Sequence, residues 1–190
     1  MNIIVSHASE MSAELLKSVY IFRAKIFHHI LKWSVPLVDG QEIDRFDALD
    51  PVWVVAEQNG MVIGCLRILP TTGEYLMQEP AFSGLSESPL PAEKNTVEIS
   101  RFAVDLEIKD KRYAAIVTME ILRGMLDYLM QNNLPRGVCV TSVAVERLLR
   151  SLDVRMRRLG KVRRIEDCLV VAAEIDFTIG FGPIRLPRAA

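Results

Sequence analysis

Val52-Trp53-Val54-Val55-Ala56 and Met61-Val62-Ile63-Gly64-Cys65 stand on either side of Asn59-Gly60. Two apolar, β-branched runs joined through Asn-Gly specify a hairpin, because the matching tight turn needs positive φ angles that Asn and Gly tolerate. The hairpin makes the heart of the fold an antiparallel sheet. Residues 2–6 read as a short first strand. From about 10 to 31, Leu15, Val19, Phe22, Ile26 and Ile30 recur at spacings of three and four, which predicts an amphipathic helix capped by Ser9 or Ser12. Pro36, Asp39 and Gly40 break that period and open a polar, acid-rich loop over 34–50.

Beyond the hairpin lies an excursion punctuated by Pro, Ser and Gly, over roughly 70–95. A strand over 96–105, a helix over 111–131, a strand over 137–143, a helix over 144–152 and a last strand over 168–177 follow. Gly180-Phe181-Gly182-Pro183 and the chain end read as a loose tail. This order fits a mixed, mainly antiparallel sheet with helices on its faces.

With 190 residues the chain is expected to be one domain, spanning 1–190. Half its residues are hydrophobic and its formal net charge is −1, so composition makes no global case for nucleic acid. The basic residues are unevenly spread, however. Arg147, Arg150, Arg155, Arg157, Arg158, Lys161, Arg163 and Arg164 cluster against Asp153 alone. Such a patch is either a solvated face or a dock for an acidic partner. Cys65, Cys139 and Cys168 are odd in number and widely spaced, which predicts buried free thiols in a cytosolic protein. The N-terminus lacks the features of a signal peptide, and no apolar run reaches the ~20 residues of a membrane helix. A soluble, cytoplasmic protein is expected, with no membrane partner.

Charged residues inside apolar stretches are the main anomaly. Glu98-Ile99-Ser100-Arg101-Phe102-Ala103-Val104 puts a carboxylate, a hydroxyl and a guanidinium into a strand that otherwise looks buried. Arg67 sits in Gly64-Cys65-Leu66-Arg67-Ile68-Leu69, and Arg23 lies on the apolar face of the first helix. Buried charge is retained when paired or used, and Asp44 and Asp47 are available partners. The constellation suits a polar pocket for a ligand carrying charges of both signs. Asp44 and Asp47 also admit a plainer reading as loop caps. His28 and His29, adjacent on a helix, point about 100° apart and do not make a metal site.

Four spaced motifs carry a family resemblance: Arg23-x-x-x-Phe27-x-x-x-Leu31-x-Trp33, Glu42-x-Asp44-x-Phe46-Asp47, Arg67-Ile68-Leu69-Pro70-Thr71-Thr72 and Glu98-x-Ser100-Arg101-Phe102. Over roughly residues 18–150 the chain resembles the acyl-homoserine lactone synthases, the autoinducer synthases of bacterial quorum sensing. The resemblance implies a three-layer α/β/α acetyltransferase-like fold. It implies an acyl group transferred from acyl carrier protein to the amine of S-adenosylmethionine, then lactone closure with release of methylthioadenosine. S-adenosylmethionine would be a substrate, and no cofactor would be bound permanently.

By resemblance, Glu98, Ser100, Arg101, Asp44, Asp47 and Arg67 are the catalytic set. Arg23, Phe27, Trp33, Phe82, Phe102 and Thr141 are substrate-binding. Glu98 is the candidate general base, directly or through a water. Phe27 and Trp33 would pack on the adenosyl-methionine moiety, where an aromatic face attracts a cation. Arg147, Arg150, Arg155 and Arg158 are the candidate dock for acidic acyl carrier protein. Leu122, Met125, Leu126, Leu129, Val140, Val143 and Leu148 are either core or lining of an acyl tunnel. Glu74 and Val97 depart from the family pattern, so acyl-chain length is the least secure part of what the resemblance implies.

The runner-up is a coenzyme A-dependent N-acyltransferase of the same architecture, or a synthase that takes acyl-coenzyme A. Such enzymes bind pyrophosphate through a glycine-bearing loop, and residues 105–115 contain no glycine. A non-catalytic module that binds carrier protein would need neither Glu98 nor the Asp pair.

Overall fold

The computed structural model describes residues 1–178, so the tail expected from Gly180 lies outside the described residues. The chain begins with β1 (Asn2–His7), α1 (Ala13–Arg23) and a π-helical continuation over Ala24–Ile30. Two short strands, β2 (Leu37–Val38) and β3 (Gln41–Glu42), precede a 3-10 turn over Arg45–Leu49. Next come β4 (Val52–Gln58), β5 (Met61–Pro70), a 3-10 turn over Leu76–Gln78, α2 (Pro80–Ser83) and β6 (Thr96–Val104). The remainder is α3 (Lys111–Gln131), β7 (Arg136–Ser142), α4 (Val143–Ser151), β8 (Met156–Arg158), β9 (Arg163–Ile165) and β10 (Cys168–Asp176). The α/β class is the expected one, with a mixed, mostly antiparallel sheet. None of the described helices is long and apolar enough to cross a membrane.

The chain forms two compact units, the first from Met1–Arg67 and Arg101–Met125, the second from Ile68–Ser100 and the described residues from Leu126 onward. β5, β6 and α3 each contribute residues to both.

In the first unit β1 pairs antiparallel with β4, from Asn2 opposite Glu57 to His7 opposite Val52. Asn59 and Gly60 hold φ angles of 53° and 78°, the left-handed pair the hairpin needs. Ser12, rather than Ser9, caps α1 by accepting from the Leu15 amide at 3.2 Å. The expected helix does reach residue 30, but it widens after Arg23. Leu31 N donates to Ile26 O and Trp33 N to Phe27 O, in place of i→i−4 bonds. A three-and-four apolar spacing cannot register one extra residue per turn, so this change was invisible in the sequence. Val19, Phe22, Ile26, Phe27, Trp53, Val55 and Val62 form the core here. Gly64 lets α3 close onto the sheet, since a Cβ there would stand 2.5 Å from Ile121 Cδ1.

In the second unit β6 runs parallel to β7, from Thr96 opposite Arg136 to Glu98 opposite Val138. β10 pairs antiparallel with β7 and, along its other edge, with both β8 and β9. The sequence did not reveal β8 and β9, because short, arginine-rich edge strands lack apolar alternation; charge on such strands guards the edge. The 70–95 excursion is tied down by Thr71, whose hydroxyl donates to Thr96 O and Glu93 O at 2.9 and 3.0 Å.

Candidate active site

The first unit gathers three guanidiniums and three carboxylates into one buried, charge-balanced cluster. Arg23, from the end of α1, donates through Nε to Glu42 Oε2 at 2.5 Å and through Nη1 to Asp47 Oδ1 at 2.8 Å. Arg67, from β5, reaches Asp44 Oδ1 at 2.6 Å and Asp47 Oδ1 at 2.7 Å. Arg101, from β6, clasps Glu42 with Nε and Nη2 and meets Asp44 Oδ2 at 2.7 Å. The arginines therefore pair with protein carboxylates, as burial of charge requires.

Local structure aims each carboxylate. Asp44 caps the 45–49 turn by accepting from Phe46 N, while Asp47 Oδ2 accepts from Asp44 N, a reciprocal capping box. Both readings of this pair hold at once: the aspartates cap the loop and also bind the arginines. Arg101 sits at φ 54° in the middle of β6, left-handed backbone that a non-glycine residue adopts at a cost of order 1–3 kcal/mol. Its guanidinium lies over the Phe27 ring at 5.7 Å, and Phe27 stacks on Trp33 with centroids 5.3 Å apart. Arg23 lies over Trp53 and Tyr20, and Arg67 over Phe46.

The electrostatics follow from these contacts. Burial pushes Asp44 up, but the Arg67 hydrogen bond and the charges of Arg101, Arg67 and Arg23 prevail and hold it at about 2. Glu42 is likewise lowered, with Arg101 and Arg23 overcoming burial. Burial lowers the Arg23 guanidinium, yet Glu42 and Asp47 raise it on balance. Tyr20 is pushed up to about 12, chiefly by burial and then by Asp47.

Glu42 heads the second motif but was not among the expected site residues. It is fully buried and touches two arginines. The signal available was its period-two spacing from Asp44, which places both carboxylates on one side of an extended segment.

In the second unit, Glu98 is 1% exposed. Its Oε2 accepts from Leu76 N at 2.9 Å and its Oε1 from Met77 N at 2.7 Å. Ser100 is buried two residues on, Phe82 is half-buried on α2, and Thr141 is half-buried on β7 opposite Val171. Phe102 is half-buried on the first-unit portion of β6.

Residues 7–178 match the family model of the autoinducer synthases. The chain belongs to the autoinducer synthase family. This synthase is accordingly an acyltransferase of the acyl-homoserine-lactone class. It is 30% identical over 175 residues to the acyl-homoserine-lactone synthase of Pseudomonas aeruginosa, covering 90% of this chain and 87% of the relative. Its fold superposes on the crystal structure of the AHL synthase LasI with TM-score 0.86 at 30% identity, over 93% of this chain and 90% of LasI. TofI, solved in a ternary complex with an inhibitor and MTA, matches with TM-score 0.81 at 30% identity, over 93% of this chain and 91% of TofI. An acyl-CoA N-acyltransferase from Pseudomonas aeruginosa shares the fold alone, with TM-score 0.64 and 12% identity over 92% of this chain and 99% of the other.

The basic patch of the synthase is partly neutralised from within. Arg150 Nε and Arg158 Nε reach Glu146 Oε1 at 3.1 and 2.9 Å, and Glu146 is 1% exposed. Arg157 pairs with Glu174 at 2.5 Å. Arg147 and Arg155 remain on the exposed surface. Of the tunnel candidates Leu122, Met125 and Leu129 are buried, whereas Leu148 is 41% exposed and so does not line an interior channel. Cys65 and Cys139 are buried free thiols pushed up to about 12 by burial. Cys168, expected to be buried too, is half-exposed where β10 meets β9.

Proposed function

We propose that this synthase transfers an acyl group from acyl carrier protein to S-adenosylmethionine and closes the homoserine lactone, releasing methylthioadenosine. The carrying observation is the cluster's exposure pattern. The side chains of Arg23, Glu42, Asp47 and Arg67 are 0–2% exposed, whereas Asp44 and Arg101 retain 8% and 10%. The cluster thus offers solvent one anionic and one cationic group beside the stacked Phe27 and Trp33. That combination suits a metabolite bearing an ammonium, a sulfonium and a carboxylate.

In the first step the amine, once deprotonated, attacks the thioester carbonyl. The carbon–sulfur bond breaks, and the thiolate leaves and takes up a proton. In the second step the substrate carboxylate attacks the carbon next to the sulfonium, and the electron pair departs with sulfur as neutral methylthioadenosine. Opposite charges are annihilated, so a site drier than water favours closure. An arginine clamped on that carboxylate would blunt the nucleophile. Here all three guanidiniums already bind Glu42, Asp44 or Asp47, so the partly exposed Arg101 attracts that carboxylate without closing a two-pronged clamp on it. MTA in the TofI complex agrees with the by-product this reading requires.

We assign the acyl donor as carrier protein on the exposed Arg147 and Arg155, with acyl-coenzyme A as the alternative that the comparisons leave open. The chain acts as one synthase domain over 1–190, and its free thiols suit the cytoplasm. The test incubates the purified chain with S-adenosylmethionine and a panel of acyl-carrier-protein and acyl-coenzyme A donors. Mass spectrometry then scores acyl-homoserine lactone and methylthioadenosine. Glu98→Gln is expected to suppress both products. Acylated amine without methylthioadenosine would instead establish a plain N-acyltransferase.

A further inference from the structure

We propose that Glu98 is a positioning residue, whose carboxylate anchors the 75–78 turn to β6 and thereby fixes α2 with its Phe82, rather than the base that takes the ammonium proton. This rests on the acyl-transfer reading above and assigns Glu98 a different part in it. Each carboxylate oxygen is already engaged by a backbone amide, Leu76 N at 2.9 Å and Met77 N at 2.7 Å. The side chain is 1% exposed, and the flanking Tyr75 and Met77 are both fully buried. Paired backbone N–H donors on one ionised carboxylate are strong, directional bonds. They supply the first two amides of the turn with acceptors that it lacks internally.

From that anchor an unbroken run of hydrogen bonds leads to α2. Gln78 N donates to Tyr75 O, Glu79 N to Leu76 O, and Phe82 and Ser83 N both to Glu79 O. Tyr75 adds a second tether, its hydroxyl donating to Pro91 O at 2.7 Å. Moving the Glu98 carboxylate therefore moves the segment that carries Phe82. A misplacement of an ångström that reaches the reacting groups costs on the order of 100-fold, even from a change made far from them.

The two roles separate experimentally. Leu76→Pro removes one amide donor and leaves the Glu98 carboxyl untouched. Proline suits the first position of a helical turn, and Tyr75 before it is extended at φ −150°, ψ 161°, as proline requires. Leu76→Ala, which keeps the amide, isolates the share of the side chain. Positioning predicts that Leu76→Pro lowers kcat/KM about tenfold beyond Leu76→Ala. It predicts that Glu98→Gln shows the parent pH profile scaled down, and that Glu98→Gln with Leu76→Pro loses little more than Glu98→Gln does. A lost acid limb in Glu98→Gln, with Leu76→Pro equal to Leu76→Ala, would overturn the proposal.

Amide exchange by NMR provides a readout independent of activity. Leu76 and Met77 amides are expected to exchange at least tenfold faster in Glu98→Gln than in the parent; unchanged rates would refute the anchor. Should the parent make no product from any donor, the acyl-transfer reading fails, and the exchange rates still decide whether Glu98 holds the turn. Should Glu98→Gln not fold, the Leu76→Pro and Leu76→Ala pair carries the decision.

Discussion

Arg67 Nη1 lies 2.7 Å from Asp47 Oδ1, and the same oxygen accepts from Arg23 Nη1 at 2.8 Å. One carboxylate oxygen thus joins two guanidiniums from β5 and α1, all three side chains being 0–2% exposed. Removing a single member of such a group strands opposite charges in the interior. Chemistry and folding are therefore coupled in this cluster.

Arg67→Ala is expected to lower unfolding free energy by about 3–5 kcal/mol, because Asp44 and Asp47 lose a shared buried partner. Arg67→Lys should recover only part of this, since an ammonium lacks the planar fork. Urea unfolding at pH 7 measures both. Parent-like midpoints in Arg67→Ala would remove the structural role.

Acid should unfold the protein through this cluster. The folded-state value of Asp44 is held at about 2, below its unfolded value near 3.8. Its contribution is thus fully present above the unfolded value and disappears as pH falls from about 4 through 2. That difference corresponds to roughly 2 kcal/mol. The stability gap between parent and Asp44→Asn should therefore narrow over that window, which stability measured at stepped pH will show.

Trp33→Ala should raise KM for S-adenosylmethionine roughly tenfold and leave KM for the acyl donor within twofold. It removes the ring stacked on Phe27 beside Arg101. Steady-state kinetics with each substrate varied separately make the check, and equal rises in both constants would count against the assignment.

Charge reversal should sort the basic patch into docking and structural cations. Arg147→Glu with Arg155→Glu should raise KM for acyl carrier protein several-fold at low salt, and the effect should fade as salt screens it. Arg158→Glu should instead destabilise the fold, since it places a like charge against the buried Glu146. Thermal melts alongside kinetics separate the two outcomes.

Gly64→Ala should cost about 1–3 kcal/mol through overpacking, because its Cβ would meet Ile121 Cδ1 at 2.5 Å and Ala103 O at 3.1 Å. Adding Ile121→Val removes the offending methyl and should restore part of the loss, as chemical denaturation would reveal.

The legible features were those with local causes. The Asn59-Gly60 hairpin and the helix over 111–131 stand where turn chemistry and three-and-four spacing put them. The widened helix after Arg23 and the edge strands β8 and β9 were hidden for a common reason. Their backbone geometry answers to neighbouring hydrogen bonds, which the apolar pattern along the chain does not record. The site divides in the same way. Arginines and acids in improbable places announced themselves in the sequence, and four ordered motifs pointed to the family.

Primary structure was enough to establish the element types, the autoinducer synthase family and the residue kinds that gather at the site. Which charge faces which was settled in three dimensions. Arg101 and Glu42 meet at 2.9 Å across 59 positions of chain, Glu146 silences two arginines of an apparently free patch, and Glu98 spends its oxygens on the amides of a turn. Ion pairs and hydrogen bonds are functions of distance and burial, and neither quantity exists until the chain has folded.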